Sequence, residues 1–204
     1  MLAKDLIAKG AELQTLDAGG GWPINYGNEE KNHPPLQAYG QAIEEGIKRA
    51  GATQLGLSIQ VEPGRSIVGP SGVLLSRVLL TKTQGDKLFT VLDAAMTELL
   101  RPALYQAYHP IWPVGESITQ AKSVVTDVVG PVCETADFIA LDRELPPLSE
   151  QTLVAIGNAG AYSSAMASNY NARRRPAEVL VHKSTFRTVR TRENYEDLWR
   201  LEST

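Results

Sequence analysis

The sequence is poor in cysteine, with Cys133 the single one in 204 residues. An intrachain disulfide and a thiolate-based zinc site are therefore excluded, and a reducing compartment is the default. Long hydrophobic runs are also missing. No unbroken apolar run exceeds four residues, as at Leu153 to Ile156, so a membrane span, which needs about 20, is not expected. Behind Met1, Lys4, Asp5 and Lys9 interrupt what would be the apolar core of a signal peptide. An excess of positive charge is lacking too. A net charge of −3 argues against nucleic acid or another polyanion as the main partner. The three histidines, His33, His109 and His182, have no metal-ligand spacing, and no metal is assigned. What is present is an ordinary globular balance, 43% hydrophobic and 21% charged, which excludes a disordered chain. At about 150 residues per domain the length suggests between one and two domains. A cytoplasmic globular protein is expected.

The first third alternates helix and strand. Leu2, Leu6, Ile7 and Leu13 suggest a short amphipathic helix running into an extended stretch near Leu16. That stretch ends at Asp17-Ala18-Gly19-Gly20-Gly21, a turn that glycine makes without steric cost. Pro35 suits a first helical turn, and Leu36, Tyr39, Ile43, Ile47 and Ala50 recur at helical spacing before Gly51 stops the pattern. Leu55, Leu57, Ile59 and Val61 then alternate with Gly56, Ser58 and Gln60, which is strand periodicity, and terminate in Glu62-Pro63-Gly64-Arg65. Strand, helix, strand is the βαβ unit, whose strands run parallel. Both Gly19 to Gly21 and Glu62 to Arg65 then follow carboxyl ends of parallel strands, the edge where α/β proteins place their sites.

Beyond residue 70 the pattern changes to β. Val73 to Leu80 and Lys87 to Leu92 flank Thr83-Gln84-Gly85-Asp86, a hairpin signature. Further β-rich runs are Val124 to Val129, Phe138 to Leu141, Leu153 to Ile156 and Glu178 to Val181, and only Asn194 to Leu201 reads as a helix. The expectation is α/β plus all-β: residues 1–69 as one domain and 70–204 as a second, mainly antiparallel and β-barrel-like. Two parallel strands neither close a barrel nor bury a parallel sheet on both faces. Either the sheet is small and unusually capped, or the chain is the back portion of something longer. The second is the expectation.

Several motifs can carry chemistry, each with a plain structural alternative. The triple glycine allows backbone N–H groups to approach phosphate, but it fits neither the P-loop nor Gly-x-Gly-x-x-Gly and can be only a tight loop. Glu62 and Arg65 can pair with each other. They can instead divide a ligand, Glu62 accepting from a protonated ring nitrogen and Arg65 holding phosphate or carboxylate in its planar fork. Arg101 and Tyr105, four apart, suit a bound carboxylate, though a surface ion pair would also explain Arg101. Cys133, beside Glu134, is most simply a small buried hydrophobe. Tyr162 can donate to phosphate or merely half-bury its ring. Arg173-Arg174-Arg175 reads as a solvated face.

Taken in order, these motifs resemble the diaminopimelate decarboxylases of lysine synthesis, a fold-type III, pyridoxal-phosphate-dependent family. The resemblance rests on Leu16-Asp17-Ala18-Gly19-Gly20-Gly21, Glu62-Pro63-Gly64-Arg65-Ser66-Ile67-Val68, Arg101-Pro102-Ala103-Leu104-Tyr105 and Ala107-Tyr108-His109. It continues through Val129-Gly130-Pro131-Val132-Cys133-Glu134, Ala159-Gly160-Ala161-Tyr162 and Arg175-Pro176-Ala177-Glu178-Val179. It implies that residues 1–69 are the C-terminal part of a (β/α)8 barrel. It further implies that Gly20, Gly21, Pro63, Gly64 and Arg65, with Tyr162, hold the phosphate of pyridoxal 5'-phosphate, while Glu62 pairs with the ring nitrogen. Arg65, Arg101, Tyr105, Tyr162 and Glu134 would bind the amino-acid substrate, the arginines taking carboxylates and Glu134 an ammonium. Cys133 would supply the proton that replaces carbon dioxide, reaching the site from the second subunit of a homodimer.

The same resemblance exposes departures. The family's cofactor-linked lysine lies in an aromatic-x-x-Lys-Ala-Asn segment, and none of Lys4, Lys9, Lys31, Lys48, Lys82, Lys87, Lys122 and Lys183 has those neighbours. This chain alone is therefore expected to be inactive. Ala95, Thr97-Glu98 and Trp22-Pro23 stand where the family more often has Gly, Asn-Asp and Leu-Gly. Relatives acting on ornithine, arginine or carboxynorspermidine remain alternatives, although polyamine-directed ones tend to carry Asp where Glu134 stands. A non-catalytic homologue working by association with a full-length partner is another.

Overall fold

A computed structural model describes residues 2–27, 33–115 and 122–202; Lys31, one of the lysines weighed above, lies outside them. The chain divides into two compact units, residues 1–69 and 70–204.

The first unit contains helix α1 (Leu2–Ala8), strand β1 (Thr15–Asp17), helix α2 (Leu36–Arg49), strand β2 (Ser58–Gln60) and the short helix α3 (Gly64–Val68). β1 and β2 pair in parallel, with Leu16 opposite Ile59 and Asp17 opposite Gln60. The helix lies between them in sequence, as the periodicity predicts. Pro35 stands one residue outside it: its ψ of 156° is extended, so it caps the helix and does not enter the first turn. Lys48 and Arg49 fill the last turn, where the carbonyl ends favour cations, and Lys48 also pairs with Glu44 at 2.6 Å. Gly51, at φ +60°, ends the run. β2 is shorter than the alternation suggests. Thr53–Leu55 form a 3-10 turn and Gly56 is left-handed at φ +66°, which removes the first half of the expected strand. Ile43, Gly46 and Ile47 of α2 line an apolar groove with Leu16, Ala18, Ala50 and Ala52.

The second unit is a sheet domain. β3 (Leu74–Gln84) and β4 (Lys87–Leu92) form an antiparallel hairpin about Gly85, at φ +59°. With β5 (Ile111–Pro113), β6 (Val124–Val129), β7 (Phe138–Leu145) and β8 (Leu153–Ile156) they make a six-stranded sheet of order β5-β8-β3-β4-β6-β7. Each neighbouring pair is antiparallel except β4–β6. One face carries the core, with Val78, Leu92, Val154 and Ile156 fully shielded and Leu99, Val128 and Ile139 packed among them. Thr126, Asp127 and Val128 are buried in succession because the β6–β7 register shifts there. The buried Asp127 carboxylate is satisfied by the Asp142 N–H at 2.7 Å and by Lys87 at 3.0 Å. β9 (Glu178–His182) and β10 (Thr185–Arg190) form a separate antiparallel ribbon, followed by helix α5 (Glu196–Trp199).

Three elements of this second unit were not expected from the sequence reading. β5 is Ile-Trp-Pro, too short to alternate visibly. β10 is exposed at every position, so it shows no buried face. Helix α4 (Arg101–Tyr105) contradicts the reading of a single helix after residue 70. It is one turn long, and one turn gives periodicity nothing to repeat. Among the described residues no helix is long and apolar enough to cross a membrane, and no group of three or more His, Cys, Asp or Glu could hold a metal.

Candidate functional site

In the first unit, the glycine turn and the Glu62 loop are fastened to each other. The Asp17 carboxylate accepts the Gly19 N–H at 2.7 Å, which turns the chain out of β1. Beyond the strands the parallel ladder continues: Ala18 donates to the Gln60 carbonyl at 2.9 Å, and Glu62 donates to the Gly19 carbonyl at 2.8 Å. Both loops thus leave the same, carboxyl end of the sheet. A Cβ on Gly20 would stand 2.3 Å from the Glu62 carbonyl oxygen, so any side chain there forces the backbone to shift, while Gly19 and Gly21 take φ of +74° and +86°. Gly64 donates to the Glu62 carbonyl at 3.0 Å and opens α3, and the Ser66 hydroxyl donates to the Pro63 carbonyl at 2.7 Å. The Glu62 side chain is exposed, and Arg65, in the first turn of α3, is half-buried.

In the second unit, Arg101 begins α4 and is almost wholly buried. Its guanidinium lies 5.8 Å from the Tyr162 ring centroid, bringing together two residues far apart in sequence. Tyr162 occupies a left-handed conformation, φ +59°. It belongs to a turn that crosses Gly72 so closely that a Cβ there would meet Gly160 at 2.3 Å. Tyr105 follows Arg101 by one helical turn, on the same side of α4, and is exposed.

Cys133 and Glu134 stand together on the loop between β6 and β7, and both are exposed. Cys133 is thus not the small buried hydrophobe that its scarcity suggests. Buried Asp137 fixes that loop: its carboxylate accepts the Val132 and Met96 N–H groups, each at 2.7 Å. Gly130 has no room for a Cβ against the same carboxylate. The Glu134 carboxylate accepts the Tyr170 hydroxyl at 3.2 Å. That bond, with the negative charge behind it, holds the Tyr170 phenol above its ordinary pKa range.

Residues that sequence reasoning passed over are prominent. His109 is completely buried, one ring nitrogen 2.9 Å from the Gly157 carbonyl and the other 3.4 Å from an Arg101 guanidinium nitrogen. His109 enters the sequence reading within the Ala107-Tyr108-His109 stretch, with no role assigned, and Asp137 gave no signal. The arginine run is a solvated face only in part, with Arg174 exposed and Arg173 and Arg175 half-buried against partners. Arg173 donates to the Asp93 carbonyl at 2.6 Å and to Thr97 Oγ1 at 3.1 Å, and pairs with buried Glu98 at 3.3 Å. Arg174 lies over the Tyr195 ring at 4.6 Å, and Arg175 binds Glu193 through Nε at 2.6 Å. Extended and turn backbone sends three adjacent side chains in three directions, so like charges close in sequence find separate partners.

Residues 31–160 match the model of the pyridoxal-dependent decarboxylase C-terminal sheet domain, and the chain belongs to that family. Similarity extends further than the matched segment. The chain is 43% identical over 195 residues to a diaminopimelate decarboxylase of Aquifex aeolicus, covering 96% of this chain and 44% of that protein. It is 46% identical over 201 residues to one of Neisseria meningitidis, covering 96% and 45%. The crystal structure of diaminopimelate decarboxylase from Helicobacter pylori, complexed with L-lysine, superposes with a TM-score of 0.85 at 42% identity, over 98% of this chain and 48% of that one. The chain therefore spans about half the length of the relatives it matches.

Proposed function

We propose that this chain supplies cofactor- and substrate-binding parts of a pyridoxal-phosphate-dependent diaminopimelate decarboxylase, which converts meso-2,6-diaminopimelate to L-lysine and carbon dioxide. In this reading residues 1–69 are the closing portion of a (β/α)8 barrel, and residues 70–204 are a β-barrel-like sheet domain. The observation that supports it best is the Gly20–Glu62 contact. A phosphate-sized approach needs backbone without a Cβ, and a ring nitrogen needs an acidic partner beside it. This rim offers both.

When bound, pyridoxal phosphate supplies a ring that accepts the electron pair left by departing carbon dioxide. The residues of this chain are assigned the binding and proton-delivery roles. Gly20 and Gly21 present N–H groups to the phosphate, with Pro63 and Gly64 shaping the loop beside it and the Arg65 cation and the Tyr162 hydroxyl assigned to it as further partners. Glu62, as a carboxylate, accepts from the ring nitrogen and keeps it protonated. Arg65 and Arg101 take substrate carboxylates, with Tyr105 and Tyr162 as hydroxyl donors, and Glu134 takes the distal ammonium. Cys133, held exposed by the loop that Asp137 pins, delivers a proton to the substrate carbon. In a homodimer that thiol serves the second subunit, and the cytoplasm is the compartment that keeps it reduced. None of the lysines present has the family's neighbours, so covalent attachment of the cofactor needs an amine outside these 204 residues.

The test is carbon dioxide release by the protein that carries this chain, offered meso-diaminopimelate, L-ornithine, L-arginine and carboxynorspermidine. The highest kcat/KM is expected on meso-diaminopimelate. Faster turnover of ornithine would overturn the substrate assignment. No release from any of them, with cofactor present, would favour the non-catalytic homologue, for which the missing lysine motif is the supporting observation.

A further inference from the structure

We propose that His109 is a positioning residue for substrate binding: as a neutral acceptor, it fixes the Arg101 guanidinium in the orientation that receives a carboxylate. This rests on the assignment of Arg101 to a substrate carboxylate.

The geometry fixes the tautomer. A guanidinium nitrogen can only donate, so His109 Nε2, 3.4 Å from Arg101 Nη1, must be the bare nitrogen. Nδ1 then carries the proton and donates to the Gly157 carbonyl at 2.9 Å. The ring is held from its backbone as well. Arg143 Nη1 donates to the His109 carbonyl at 2.8 Å, and Gly157 donates back to the Pro110 carbonyl at 2.9 Å. Gly157 is itself fixed by crowding, since a Cβ there would come within 2.9 Å of the Trp112 and Pro110 rings. The imidazole therefore cannot swing away, and Arg101 inherits that rigidity through Nη1.

Neutrality is what makes histidine suitable. An aspartate or glutamate in its place would hold Arg101 and cancel the charge a substrate carboxylate needs. A bare imidazole nitrogen holds it without adding charge. The charged and titratable groups around the ring agree: Arg101 on α4, Arg143 on β7 and the Tyr108 ring, which the Arg143 guanidinium covers at 3.8 Å. Burial, reinforced by the two cations and opposed by the Gly157 bond, lowers the His109 pKa below the ordinary histidine range.

Two substitutions separate positioning from mere packing. His109→Asn keeps a donor for Gly157 and leaves nothing at the Nε2 position. His109→Gln can place its amide oxygen there. On the whole holoenzyme with its preferred amino acid, H109N should raise KM on the order of tenfold, about 1.4 kcal/mol, with kcat changed much less. H109Q should recover most of that loss. Equal impairment of the two variants, or a fall in kcat at unchanged KM, would overturn the proposal. Nitrogen-15 NMR of the histidine-labelled wild-type protein decides the matter independently of substrate and of either variant's folding. At neutral pH it should show a protonated Nδ1 and a bare Nε2 whose signal moves when Arg101 is replaced by methionine. A protonated Nε2 would refute the arrangement. Absence of decarboxylation in the wild type would instead sink the decarboxylase reading and leave this spectrum to judge His109.

Discussion

Replacing Gly20 by alanine should damage the proposed cofactor site more than any other single methyl group added to the first unit. The added Cβ would stand 2.3 Å from the Glu62 carbonyl oxygen, where ordinary contact begins at 3.4 Å, so something must move by about 1 Å. Neither neighbour can move alone. The Glu62 carbonyl already accepts the Gly64 N–H, and the Glu62 N–H is bonded to Gly19. The displacement is therefore passed to Glu62 and to the start of α3 together. Overpacking of this kind costs about 1–3 kcal/mol of stability, and a 1 Å misplacement of a reacting group can cost about 100-fold in rate. In the protein that carries this chain, G20A is expected to bind pyridoxal phosphate at least on the order of tenfold more weakly by spectroscopic titration. Its urea midpoint should also fall. Gly40→Ala is the control. That glycine lies within α2 with nothing inside 4 Å of its Cβ position, so alanine should add about 0.5–1 kcal/mol. Wild-type cofactor affinity and an unmoved midpoint in G20A would refute the reasoning.

Other perturbations reach the second unit. Asp137→Ala leaves two half-buried N–H groups, those of Met96 and Val132, without their acceptor; a loss of about 1–3 kcal/mol is expected in urea titration, and a loss under about 0.5 would contradict the pinning role. Cys133→Ala touches an exposed side chain. Stability should stay within about 0.5 kcal/mol of wild type while kcat drops on the order of 100-fold, and retained kcat would remove Cys133 from the chemistry. Glu193 is held at a pKa of about 2, chiefly by the Arg175 hydrogen bond, so its contribution is present above the ordinary carboxylate pKa and is lost as pH falls toward 2. The stability gap between wild type and E193Q should accordingly be flat above about pH 5 and close below it. A gap that widened with acid would reverse the sign.

Features that depend on repetition were legible in the sequence. Helix α2 and the β3–β4 hairpin each span enough residues to show a period; the parallel β1–β2 pair, three residues a strand, was legible through the longer alternation from Leu55 to Val61 and the turn signals that follow each strand. What stayed hidden depends on long-range partners. His109 is meaningful only because Gly157, 48 residues later, supplies its acceptor. Asp137 matters because Met96, 41 residues earlier, donates to it. The arginine run misleads for the same reason, since the partners of Arg173 lie 75 to 80 residues away. Cys133 looked like a core residue by type alone, and its exposure is set by the loop that Asp137 ties down. Single helical turns and three-residue strands, α4 and β5, are fixed by tertiary contacts and not by their own pattern.

The most direct measurement is the nitrogen-15 resonance of ring-labelled pyridoxal phosphate bound to the protein that carries this chain, recorded with Glu62 and with Glu62→Gln. A protonated ring nitrogen at neutral pH that loses its proton in E62Q is the predicted result. A bare nitrogen in the wild type, or a protonation state indifferent to the substitution, would contradict a carboxylate-supported cofactor on this rim.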